Sequence, residues 1–134
     1  MSGLKEEASY YIKELGGPNG ESAWHRLVEA DDTIIPYLIE AYRAEPEAKR
    51  RSMLVNVIWE HRVKEALEFV CEEALNDPAP EVWKSALDGV VTTGGQRALS
   101  ALESAKKRLH GVEKETEDKA VWIDEAIEQV TGRS

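Results

Sequence analysis

Long apolar runs, paired cysteines and an excess of positive charge are all missing from this sequence. No run approaches membrane-spanning length. The opening MSGLKEEASYY holds no apolar stretch that could serve as a signal peptide, so a cytoplasmic location is expected. The one cysteine, Cys71, lies inside LEFVCEEAL, so no intramolecular disulfide can form. A lone thiol on the inward side of a helix reads as a small core residue. Seventeen Lys and Arg stand against 26 Asp and Glu, a formal net charge of −9. Such a surface repels phosphate, which disfavours nucleic acid and anionic membranes, while a basic protein would be drawn towards it. β-branched residues dominate no window, and strict two-residue alternation is hard to find. Gly and Pro are sparse and fall mostly between the apolar runs, which argues against disorder.

What is present is helical periodicity. Leu4, Ala8, Tyr11, Ile12 and Leu15 share one face of a first helix, which GGPNG at 16–20 stops. A second, Glu21–Ala30, turns Ala23, Trp24, Leu27 and Val28 inward and His25, Arg26 and Glu29 outward. Asp31 or Asp32 caps a third, about Thr33–Glu45, with Pro36 in its first turn, where a missing N–H costs little. Pro46 opens a fourth. Its Met53, Leu54, Val55, Val57, Ile58 and Trp59 cover most of the circumference and mark it as the buried centre. A fifth spans Val63–Asn76, a sixth Glu81–Thr92, and a seventh Gln96–His110, closed by Gly111. The eighth carries Ala120, Ile123, Ala126, Ile127 and Val130 on one side. With 134 residues the chain reads as one all-α domain large enough to bury a core.

A period runs through these helices. A shift of 32 residues lays Ile34–Ile35 on Ala66–Leu67 and then on Ala98–Leu99. It also lays Leu38 on Val70 and Leu102, Pro46 on Pro78, Leu54–Val55 on Ala86–Leu87, and Ile58 on Val90. Apolar and Pro positions are the ones that stacked units have to repeat. The segment DPAPEVWKSALDGVVTTGGQRALSALESA, Asp77–Ala105, resembles a HEAT-like repeat of the armadillo-type superhelix. Asp77–Pro78 fits its start, and Val82, Ala86–Leu87 and Val90 fit the inner face of the first helix. Gly94–Gly95 fits its turn and Ala98–Leu99 the opening of its second helix. The family often has Arg after the Val. Arg51 holds that place in the preceding unit, but Trp83 holds it here. The likeness is clearest over residues 21–109, with 1–20 and 112–134 as capping segments. It implies a short right-handed α-α superhelix of about three to four helical hairpins, and it specifies fold better than function.

A search for chemistry returns little. His25, His61 and His110 have no second histidine three or four residues away, and Glu60 beside His61 points about 100° off, so no metal ligand set is expected. HEAT-like di-iron hydroxylases carry His-Glu dipeptides, which this sequence does not contain. The alkylpurine glycosylases of similar fold need a basic face. GGPNG lacks the Lys-Ser/Thr of a phosphate loop, and Ser52, Ser85, Ser100 and Ser104 lie on helices without a nearby base. No catalytic residue and no cofactor are expected. Trp24, Trp59 and Trp122 fall on apolar faces and read as core, whereas Trp83, aligned with charged Arg51, is a candidate surface anchor.

The resemblance places the second helix of each pair on the concave, binding side. There the fifth helix turns Glu65, Glu68, Glu72 and Glu73 outward, Glu40 stands in register with Glu72, and the seventh helix substitutes Ser100, Ser104 and Lys107. Glu40, Glu65, Glu68, Glu72 and Trp83 are therefore the expected partner-binding residues of a non-catalytic protein-binding module. An alternative is a bacterial immunity protein that occludes a basic toxin, which small acidic helical-repeat proteins resemble. A HEAT-like enzyme such as a lyase comes third.

Overall fold

The computed structural model describes residues 3–109 and 114–132, and side chains in the second stretch from 118 onward. Eight α-helices make up the described chain, with no strand: α1 Gly3–Glu14, α2 Gly20–Glu29, α3 Ile35–Ala44, α4 Ala48–Glu60, α5 Lys64–Glu72, α6 Pro80–Thr93, α7 Gly95–Lys107 and α8 Lys114–Thr131. None is long and apolar enough, among the described residues, to cross a membrane. The all-α expectation holds. His110 and Gly111, expected to end the seventh helix, lie outside the described residues.

Several boundaries shift for local reasons. A 3₁₀ turn, Asp32–Ile34, precedes α3, because the Asp31 carboxylate accepts from both the N–H and the hydroxyl of Thr33 and tightens the entry. Another, Ala74–Asn76, follows α5 in place of a continuous helix to Asn76. Pro46 precedes α4 and does not open it. Glu45 is held extended, as a residue before proline tends to be, and Arg51 Nη1 ties down the carbonyls of Glu45 and Pro46. Gly94 and Gly95 adopt φ of 64° and 81°, the left-handed region that glycine enters without a Cβ penalty, and so turn α6 into α7.

The helices pack in two rows. α1, α3, α5 and α7 touch in sequence on one side, α2, α4, α6 and α8 on the other, and α1–α2, α3–α4, α5–α6 and α7–α8 pack as neighbours. The most extensive interface joins α4 to α6. α4 buries Leu54, Val55, Val57 and Ile58, but Met53 and Trp59 are only half-buried. α6 buries Val82, Trp83, Ala86, Leu87, Val90 and Gly89, so the centre of the fold is this helix pair and not α4 alone. Within it the Trp59 ring lies on the α6 backbone. A Cβ built on Gly89 would stand 2.6 Å from Trp59 Cγ, so only glycine admits the approach. Of the positions matched by the 32-residue shift, Ile34, Ile35, Leu38, Leu54, Val55, Ile58, Ala66, Val70, Ala86, Leu87, Val90, Ala98 and Leu102 are all buried. Each large apolar side chain among them contributes about 1.5–3 kcal/mol by leaving water.

Candidate functional site

The spacing of α5 sorts its side chains. Ala66, Phe69, Val70 and Cys71 turn into the core, which leaves Glu65, Glu68 and Glu72 as an outward stripe at three- and four-residue intervals. Arg97 of α7 grips Glu68 with both arms of its fork, Nε donating to Oε1 at 2.8 Å and Nη2 to Oε2 at 3.0 Å, and reaches Glu72 at 3.5 Å. That hydrogen bonding holds the Glu68 carboxyl below its usual range. On the opposite flank Glu73, just past α5, accepts from Nε and Nη2 of Arg43 on α3. Two arginines thus stitch α3, α5 and α7 together through the acids of α5, in fixed, bidentate geometry. Glu65 is exposed and makes no ion pair within 4 Å among those described.

Glu40 does not join this stripe. It is exposed on the α1 side of α3, lining a groove with Lys5, Ile12 and Lys13. Trp83 needs a larger correction. It is 4% exposed, and it is Trp122, expected in the core, that reaches 43%. α8 lies across this end of α6 and covers Trp83. The two rings meet edge to face at 6.1 Å, Lys84 Nζ stands 4.6 Å over Trp122, and Lys119 Nζ stands 5.4 Å over Trp83. Burial depresses the Lys119 pKa. Trp83 therefore anchors α8 and offers no surface to a partner in this state. Trp24 and Trp59 are half-buried against the core.

Two polar clusters escaped the sequence reading. Asp77 is buried at the junction of α3, α4 and α6. Tyr42 donates its hydroxyl to Oδ2, Arg51 donates from Nε to Oδ2 at 3.1 Å and from Nη2 to Oδ1 at 3.3 Å, and the Ala79 N–H donates to Oδ1 at 2.9 Å. Burial raises the carboxyl pKa, but these donors and the Arg51 charge outweigh it and hold Asp77 below its usual range. The same burial, with Asp77 as acceptor, pushes the Tyr42 phenol well up. The second cluster centres on His61, whose ring is 1% exposed. Nδ1 lies 2.8 Å from Asp32 Oδ1 and Nε2 lies 2.9 Å from the Leu27 carbonyl, so the ring pins the end of α4 to the α2–α3 connection. Residues 29 and 34 apart in sequence carry no periodic signal for such contacts.

In both clusters the hydrogen bonds run between helices or their connections, and no buried side-chain polar atom among the described residues lacks a partner. Cys71 is buried, and its thiol is pushed up to about 11 by burial, which keeps it protonated and unreactive. Ser52 and Ser85 face each other across the α4–α6 seam at 2.6 Å, with no base in their hydrogen bond. Among the described residues no group of three His, Cys, Asp or Glu is placed to hold a metal ion. No family model, no curated protein and no solved structure matches the chain.

Proposed function

We propose that the chain is a non-catalytic protein-binding module, a small HEAT-like stack that receives a basic partner segment along the acidic edge of α5. The observation that carries this reading is the pair of arginine clamps. They hold Glu68 and Glu73 in position before any partner arrives, while Glu65 and Glu72 stay open to solvent. Carboxylates fixed in advance lose little side-chain freedom on binding, and a net charge of −9 steers a cationic partner towards them. The row order of the helices and the burial of the 32-residue register support the HEAT-like part of the reading.

The test uses a hexa-arginine peptide as the basic probe, with binding followed by calorimetry. Glu65→Lys with Glu72→Lys keeps the bidentate Arg97–Glu68 pair, gives up the longer Arg97–Glu72 contact at 3.5 Å and reverses the stripe. Glu125→Lys with Glu128→Lys, both exposed on α8, changes net charge equally elsewhere. The first pair should weaken binding about tenfold more than the second, and added salt should weaken wild-type binding further. Equal loss in both pairs would reduce the effect to net charge and overturn the site.

A further inference from the structure

We infer that the cavity at the α4–α5 corner is a binding site for a small amphipathic carboxylate, with a hydrocarbon body and one anionic end. The cavity measures about 280 Å³, at the lower end of sites that enclose small molecules. Trp59, Val63, Leu67 and Val70 supply apolar walls, and Arg62 and Lys64 line it as well. The Thr93 hydroxyl on the α6 side donates its proton to the Gly89 carbonyl at 2.8 Å, so it offers no free donor to a ligand there.

Three features set the charge of the ligand. Arg62 and Lys64 are exposed cations in a chain of net charge −9, and Arg62 is only loosely paired with Glu60, at 3.9 Å. The amino end of α5 meets the cavity at Val63 and Lys64, and Val63 at its N-cap gives no side-chain capping hydrogen bond, so the positive end of the helix faces the site uncapped. Arg62 itself sits at φ 55°, the one non-glycine residue at positive φ among the described residues. A left-handed residue just past a helix end is ordinarily Gly or Asn. An arginine there carries backbone strain and in return sets a cation beside an apolar cavity, which is the direction in which a strained residue points to function.

The site is separate from the acidic edge of α5, so it stands or falls independently of the proposed function. The experiment titrates the ¹⁵N-labelled chain with sodium octanoate and, in parallel, with 1-octanol, following the Gly89 and Thr93 amides and the Trp59 indole N–H by NMR. Saturable octanoate shifts are expected at those three probes, with octanol about tenfold weaker. Arg62→Gly with Lys64→Ala should weaken octanoate by about tenfold or more and leave octanol unchanged. Arg62→Gly relieves the left-handed strain and Lys64 is exposed, so the double variant keeps the fold, which its own amide spectrum verifies. Absence of saturable shifts at millimolar octanoate would overturn the inference. So would shifts confined to another part of the molecule. Equal binding of octanoate and octanol, or of octanoate to wild type and variant, would reduce Arg62 to a helix-end cation and overturn it as well.

Discussion

Asp77 sits where a carboxylate is costly, and its three donor groups decide whether that place is tolerable. Asp77→Asn keeps the shape but leaves Arg51, itself largely buried, without its counter-charge. It should destabilise the chain by about 3 kcal/mol in urea unfolding, as breaking a buried pair does. A loss under about 0.5 kcal/mol would mean that the junction is wetter than its burial implies. Gly89 is a second residue with a single acceptable identity. Helix propensity alone would favour alanine by about 1 kcal/mol. The added methyl, however, meets Trp59 at its Cγ, Cδ1 and Cβ, the stiff base of the side chain and not its far end. Gly89→Ala is therefore expected to destabilise by roughly 1–3 kcal/mol on balance, the usual cost of overpacking. A more stable variant would show that the α4–α6 approach is looser than 2.6 Å allows. Gly89 stands inside the sixth apolar pattern, where helical spacing alone gives no reason for a glycine. Its partner was not legible, because Trp59 and Gly89 belong to different helices.

At the scale of the element, α4 and α6 share the load. Ile58→Ala should cost about 2–5 kcal/mol in denaturant unfolding, since Ile58 is fully buried in that seam. Val90, its counterpart after the 32-residue shift, is equally buried, and Val90→Ala should be destabilising in the same assay though by less, because fewer methyl groups are removed. A near-neutral Ile58→Ala would place the centre of the fold elsewhere. Helix ends follow a different logic, since polar side chains from neighbouring helices satisfy them. Arg50 of α4 donates to the carbonyls of Ile12 and Leu15 and so closes α1. The eight helices and most of their apolar faces could be read from spacing, though Met53, Trp59 and Trp122 are less covered than it implies and Trp83 more. The 3₁₀ turns could not, because they depend on how each end is tied down.

For the whole molecule, acid is the revealing variable. Asp77 and Glu45 are held below their usual ranges, as are the exposed Asp31 and the half-buried Glu68. A carboxyl that binds its proton less tightly when folded makes the unfolded chain the stronger proton acceptor, so stability is complete above the unfolded pKa and declines as pH falls through the folded one. Asp88, pushed up by desolvation alone, works in the opposite sense, but as a single group against four. Acidification also removes the negative charge that balances seventeen Lys and Arg, so the chain repels itself. The urea midpoint should hold between pH 7 and 5 and fall below about pH 4. Asp77→Asn should lose part of that acid dependence. A midpoint flat down to about pH 3 would mean that these carboxylates are no better placed folded than unfolded.

The helices and most of the inward set of apolar residues follow from the sequence by itself, because helical spacing and Gly-Pro punctuation act over a few residues and survive any later arrangement. Which aromatic ring ends up covered is a different kind of question. Trp83 and Trp122 both lie on faces that permit burial, and only the way α8 crosses α6 covers the first and leaves the second at the rim. Long polar side chains behave likewise. Arg51, Arg97 and His61 can each reach several partners, and their interhelical ones sit 25 to 34 residues away, across helices whose spacing is set by the packed core. Partner choice and cavity shape therefore belong to the tertiary structure, since both depend on distances that exist only once the two rows of helices have closed on each other.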